Sequence, residues 1–199
     1  MCLLLETLCI KDEKVLHPEY HLRRMKDSAA KLFPGYQPPD PEKLWATLNV
    51  ELTQAVYRWR IIYGPDGFHS EVFPYSYKPI RLLKLIPTDI DYSHKYADRT
   101  ELDKLHKKRG EADDVLLVKN GKISDTTFAN IVFLKGNKLF TPDPPLLMGT
   151  ALRRLLDEGR VIAKEIKPEH IPTFDAFWLV NALRIAFPFD PVPISGIIR

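Results

Sequence analysis

Apolar and polar positions follow two periods along this chain, and each change of period marks an element. Met1–Ile10, "MCLLLETLCI", is a near-continuous apolar run interrupted by Glu6, the pattern of a buried strand, and "KDEK" follows as a turn. "HPEYHLRRMKDSAAKLF" changes to a helical period. Leu22, Met25, Ala29 and Leu32 share a face, Pro18 stands at the start and Pro34-Gly35 stops the helix. "PPDPEKLWATLNVEL" predicts a second helix, opened by Asp40-Pro41. "AVYRWRIIYG" and "GFHSEVFPYSY" then flank "GPDG" as a hairpin, and "KPIRLLKLIP" reads as a further strand running into a loop.

The second half repeats this grammar with more strand. "RTELDKLHKKRGEAD" predicts an amphipathic helix ended by Gly110, and "DVLLVKNGKISDTTFANIVFLKGNKLFTP" three or four short antiparallel strands with tight turns. "TALRRLLDEG" predicts a helix closed by Gly159, and "AFWLVNALRIAFPFDPV" another strand and a terminal loop. The order is that of an α+β protein. We expect a small α+β domain over residues 1–80, a linker over 81–92 and a larger β-rich domain over 93–199.

Composition narrows the class. A length of 199 residues with 45% apolar and 28% charged residues suits a soluble globular chain. The net charge of +3 is dispersed, and the densest basic run, "KLHKKRGE", reads as a solvated helix face, so nucleic acid is not an expected partner. Nor is a membrane: the N-terminal run carries Glu6 and lacks a basic leader, and no segment is long enough to span. Cys2 and Cys9, seven positions apart in one strand-like segment, point to opposite faces and do not bridge each other. Reduced thiols place the chain in the cytoplasm, and His69, His94, His106 and His170 show no metal spacing.

Three stretches carry candidate chemistry. In "DYSHKYADR", Lys95 follows an apolar strand between His94 and Tyr96; desolvation and neighbouring cations turn such a lysine into a nucleophile. His94, adjacent to it, points to the other face if the segment is extended and reads as structural. In "KISDTTFANIVF", Asp125 sits among hydroxyls at the head of an apolar strand, as a polar strand end or as the anionic partner of a protonated pyridine nitrogen. "LLMGTALRRLL" opens a helix with Gly149 and Thr150, whose amides and hydroxyl suit a phosphate, and "HLRRM" adds Arg23 and Arg24.

Taken in order, these pieces resemble the class IV (fold type IV) pyridoxal-phosphate enzymes, which include branched-chain and D-amino-acid aminotransferases and aminodeoxychorismate lyase. The family's "FET" is echoed by "LET" at Leu5–Thr7, and its "H-x-x-R-L" helix by "HLRRM", which maps the phosphate ligand onto Arg24. The lyase branch's "K-x-x-N-R" is matched by "KYADR", pointing to Lys95 as the lysine that bonds the cofactor. "ISDTTFANIVF" matches the strand that supplies the ring-nitrogen acid and gives Asp125 and Asn130. "TPDPPLLMGT" and "NALRIAFPFDPV" match the two later phosphate segments, so the likeness runs from Leu5 to about Val192.

The resemblance implies a two-domain fold, a small α/β sandwich and a larger β-barrel-like domain with flanking helices, here N-terminally shortened because only Met1–Leu4 precede the match. It implies pyridoxal 5'-phosphate as cofactor, no metal, and contacts from Lys95, Arg24, Asp125, Gly149, Thr150, Ala151, Asn181 and Ala182. It implies a small-molecule amino substrate, with 4-amino-4-deoxychorismate lyase favoured over an aminotransferase of branched-chain or D-amino acids and over a non-catalytic cofactor-binding homologue. It also implies a homodimer, with "FHSEVFPYSY" and "FDAFWLV" as interface or core. Departures are specific. Asp125 stands where relatives carry glutamate, Tyr63 where an arginine is common, and "GTAL" where "GITR" is usual, which leaves the phosphate to Thr150 and the Ala151 amide. Ala182, beside Asn181, stands where aminotransferases place a threonine, so a backbone amide serves there.

Overall fold

The computed structural model describes residues 2–199, so Met1 of the expected first strand lies outside the described residues. The chain forms two compact units. One runs to Tyr77 and takes in His94–Asp98; the other holds Lys78–Ser93 and Arg99–Arg199.

The first unit is an antiparallel sheet with a helix packed on it. Strand β1 (Leu4–Lys11) turns through Asp12 and Glu13, both at positive φ, into the two-residue β2 (Lys14–Val15). β3 (Val56–Gly64) pairs with β1 from Leu4 opposite Tyr63 to Lys11 opposite Val56, and β4 (Gly67–Pro74) completes the order β2-β1-β3-β4. Helix α1 (Pro18–Leu32) begins at Pro18, whose missing N–H costs nothing in a first turn. Its buried residues are His21, Met25, Ser28 and Ala29. Two of these are polar, at positions that apolar periodicity alone leaves unmarked. The shorter α2 (Pro41–Thr47) is capped by the Asp40 carboxylate, which accepts from the N–H groups of Glu42 (3.0 Å) and Lys43 (3.4 Å). Leu4, Leu8 and Ile10 of β1, Trp59 and Ile61 of β3, and Met25, Ala29 and Phe33 from the helix side form the core.

Residues 94–98 return to this unit from far along the chain. The Leu5 N–H donates to the Lys95 carbonyl and the Ala97 N–H to the Leu3 carbonyl, each at 2.8 Å, with Leu4 opposite Tyr96. The lysine segment is thereby hydrogen-bonded to the start of β1, beside Glu6. It lies with the first unit, not in the larger domain where the sequence reading placed it.

The second unit is built on β5 (Leu83–Pro87), α3 (Thr100–Lys107), β6 (Asp114–Lys119), β7 (Lys122–Thr126), β8 (Asn130–Lys135) and β9 (Lys138–Pro142). α4 (Thr150–Asp157), β10 (Ile162–Lys164), β11 (Ala176–Val180), β12 (Val192–Pro193) and β13 (Ile197–Ile198) complete it. Among the described residues the strands form two open sheets, ordered β10-β9-β8-β11-β12 and β13-β5-β6-β7, where a barrel-like domain was expected. β5 pairs in parallel with β6, Leu83 opposite Asp114, so residues 81–92 are not a simple linker: the whole of β5 is a sheet strand inside them. The unbroken apolar run of β11 follows from burial on both faces. Phe177 and Leu179 join Ile131 and Phe133 in one cluster, while Trp178 and Val180 join Val132, Leu152 and Leu155 beneath α4. That strand is core, whereas β4 is half-exposed and leaves Phe68 49% accessible.

Among the described residues no helix is long and apolar enough to cross a membrane, and no group of three His, Cys, Asp or Glu side chains is gathered for a metal. Cys9 is buried and Cys2 exposed, both free.

Candidate active site

In the first unit the site begins with an acid that apolar patterning would reject. Glu6, on β1, is 1% exposed. Its carboxylate accepts from Arg24 Nε (2.9 Å) and Nη2 (2.6 Å) and lies 2.6 Å from His21 Nδ1. Burial alone would raise the Glu6 carboxyl, but Arg24 and the His21 hydrogen bond overcome it and hold the group down at about 2. The carboxylate is therefore ionised, and His21 Nδ1 carries the proton between them. Burial pushes the His21 pKa below its ordinary value; Glu6 pulls it back, while Arg24 and Lys95 push it further down. Tyr63, buried and near Glu6, has its phenol pushed up. Arg24 is thus gripped on one edge in a fork geometry, one turn along α1 from His21. His94 turns its Nδ1 to Ser28 Oγ at 3.3 Å and packs against Tyr96.

Glu6 and His21 were not singled out by sequence reasoning. A signal existed for both: a lone acid in a buried strand, and a polar residue in register with Met25 and Ala29 on the buried face of α1.

In the second unit the centre is Asp125, 4% exposed on β7. Its Oδ1 accepts from Asn130 Nδ2 at 2.8 Å and its Oδ2 from the Leu147 N–H at 3.0 Å. Burial pushes its carboxyl up to about 7, against the pull of the Leu147 N–H, the Asn130 amide and the Leu146 N–H. Among the described residues it forms no ion pair, so it is a buried acid held only by neutral donors. The loop that supplies Leu147 leads through Gly149 into α4, where Thr150 and Ala151 are buried in the first turn. Asn181 is used structurally: its Oδ1 accepts from the Leu183 (3.0 Å) and Arg184 (2.8 Å) N–H groups, and its Nδ2 donates to the Phe128 carbonyl at 3.3 Å. Ala182, half-buried, lies inside the turn so made. The structure thus gathers Arg24 and the Lys95 segment around β1 of the first unit, and Asp125, Gly149, Thr150 and Ala151 around the C-terminal end of β7 and the start of β8 in the second.

The profile of the amino-transferase class IV family matches residues 3–190, and the chain belongs to that family, whose enzymes are pyridoxal-phosphate-dependent. A protein of Haemophilus influenzae called only "uncharacterized" is 35% identical over 189 residues, 90% of this chain and 97% of that one. The crystal structure of a "putative 4-amino-4-deoxychorismate lyase" from Haemophilus somnus is 34% identical, with a TM-score of 0.87 over 92% of this chain and 97% of the other. A "putative amino-acid aminotransferase" from Mesorhizobium loti is 25% identical with a TM-score of 0.83, covering all of both chains. At 20% identity and a TM-score of 0.75, the pyridoxal-phosphate-bound form of a hypothetical aminotransferase from Mycobacterium tuberculosis shares the fold over 96% of this chain and 80% of its own.

The donor set fits that cofactor. A buried carboxyl with no cation beside it is the partner a protonated ring nitrogen needs, because pairing removes the cost of its isolated charge. The buried Thr150 and the amides of the first turn of α4 suit a phosphate. Gly149 keeps the approach to that turn narrow: a Cβ added there would lie 2.1 Å from Asn130 Oδ1.

Proposed function

We propose that this chain binds pyridoxal 5'-phosphate through Lys95 and acts as a 4-amino-4-deoxychorismate lyase, releasing pyruvate and 4-aminobenzoate, a folate precursor. The observation that carries the cofactor reading is Asp125, a buried acid on a strand, held by neutral donors and lacking a cation. The choice of reaction is supported by "KYADR" and by the likeness to the Haemophilus somnus protein. When bound, the cofactor supplies an aldehyde that captures the substrate amine and a ring that takes up the electron pair left on the adjacent carbon.

The chain's residues do the rest. Lys95, displaced by the substrate amine, takes the proton from the carbon that bore it. The bond from the neighbouring substrate carbon to the enolpyruvyl oxygen would then break, leaving the substrate ring aromatic, and the expelled enolpyruvate would regain the proton held by Lys95 to become pyruvate. Asp125 holds a proton at the ring nitrogen, and Arg24, Thr150 and the Ala151 amide grip the phosphate, with the backbone at Ala182, beside Asn181, as a further donor. Glu6 keeps Arg24 and His21 in one arrangement. In an aminotransferase Lys95 would return the proton to the cofactor carbon, a reading favoured by the full-length likeness to the Mesorhizobium loti protein. The proposal includes a homodimer in the cytoplasm, for which the half-exposed β4 with Phe68 offers an apolar edge.

The purified protein is expected to be yellow, to carry a borohydride-fixed cofactor on Lys95, and to release pyruvate from 4-amino-4-deoxychorismate; Lys95→Ala loses all three. A protein that stays colourless after soaking in pyridoxal phosphate overturns the cofactor reading. A yellow protein that transaminates a keto-acid panel without releasing pyruvate is the aminotransferase, and one that does neither is a non-catalytic binder.

A further inference from the structure

Asn130 opens β8, directly across the β7–β8 turn from the acid, and its side chain is 5% exposed by residue. Both of its amide hydrogens are placed: one on Asp125 Oδ1 at 2.8 Å, the other on the Leu147 carbonyl at 2.9 Å. The Leu147 N–H returns to Asp125 Oδ2 at 3.0 Å, which closes a ring of hydrogen bonds between the acid, the amide and the loop. The orientation of the amide follows from its partners, since a flipped Asn130 would set its oxygen against a carboxylate and a carbonyl. Its Oδ1 then faces Gly149, where a Cβ would lie 2.1 Å away and where any other residue would drive the amide out.

We propose that Asn130 is a positioning residue of this site: its amide clips Asp125 to the backbone of the loop that starts α4, and Gly149 is glycine so that the clip can close. The clip deepens the cofactor reading above and rests on it for the role of Asp125. An aspartate held at both oxygens has no slack, so its remaining lone pairs are aimed in one direction. The same strand of contacts leads through Leu147 to Gly149 and the first turn of α4, so the acid and the helix start share one brace. No charged side chain among the described residues contributes to the ionisation of Asp125, and the groups that face it are the Asn130 amide and the Leu146 and Leu147 N–H groups. A neutral donor to the charged form favours ionisation, so loss of the clip makes Asp125 a weaker acid.

The test reads the carboxyl carbon of Asp125 by NMR against pH in cofactor-free protein, where the wild-type midpoint is expected at about 7. In Asn130→Ala the acid is expected to weaken about tenfold, the size of one hydrogen bond to a charged group. Gly149→Ala is expected to move it the same way, and the double variant no further than Asn130→Ala alone, because both act through one amide. A folded Asn130→Ala with an unmoved midpoint overturns the proposal, as do additive shifts. If the variants do not fold, the wild-type protein decides. Both Asn130 side-chain protons must be exchange-protected and must shift as Asp125 titrates, and amide protons blind to that titration sink the clip. Borohydride fixation on Lys95 is read separately. Its failure with a moved midpoint overturns the cofactor reading and leaves the clip standing, while fixation with an unmoved midpoint does the reverse.

Discussion

Two buried acids of opposite character define the chemistry at the scale of single residues. Glu6 is surrounded by cationic and donor groups and held at about 2, whereas Asp125 has only neutral donors and is pushed up to about 7. Their effects on stability have opposite signs. Glu6 binds its proton more weakly folded than unfolded, so its contribution is present above its ordinary 4.5 and is lost as pH falls towards 2. Replacing it by Gln leaves Arg24 short of its partner in a buried setting and is expected to cost about 3 kcal/mol in urea unfolding at pH 7. Wild type and Glu6→Gln should converge as pH falls to about 2; a gap that persists there refutes the pairing. Asp125 binds its proton more tightly folded, so the cofactor-free protein loses stability as pH rises from 3.8 to about 7. Asp125→Asn should flatten urea stability across that window, and an unchanged slope would show that the acid is not buried as described.

Helix α1 shows how an element can be read correctly and still misjudged. Its start, stop and register followed from Pro18, Pro34-Gly35 and the apolar period, and the helix runs Pro18–Leu32. Yet Leu22 and Leu32 are only partly buried, and His21 and Ser28 take core positions. Pattern alone would call His21→Leu an improvement. The structure reverses this, because Glu6 would lose a donor while staying buried, so His21→Leu is expected to destabilise by about 1–3 kcal/mol in urea unfolding. A more stable variant would mean that the Glu6–His21 bond contributes nothing. Strand elements divide in the same way. The β3–β4 hairpin and the β6–β9 run were visible because tight turns and apolar runs are local properties. The short β10, β12 and β13 were not, since two or three residues become strand only through the neighbour they meet, as Ile197 does opposite Leu83.

For the whole molecule, the class IV family assignment draws on motif order from end to end, and the binding it proposes has a global readout. If folded protein alone takes pyridoxal phosphate, its thermal midpoint must climb with cofactor concentration, by about 2.7 kcal/mol of stability at a hundredfold excess over Kd. A midpoint that ignores the cofactor would contradict the proposal whatever the colour of the solution. By itself the sequence determined the α+β order of elements, the ends of most helices, and the identity of Lys95, Arg24 and Asp125 as candidates, because periodicity, capping and short motifs act over a few residues. Only the tertiary structure decided that residues 94–98 pair with β1, that β5 lies parallel to β6 where a linker was expected, and which groups sit beside Glu6 and Asp125. Those outcomes depend on partners brought together from distant parts of the chain, and on desolvation, which no local pattern contains.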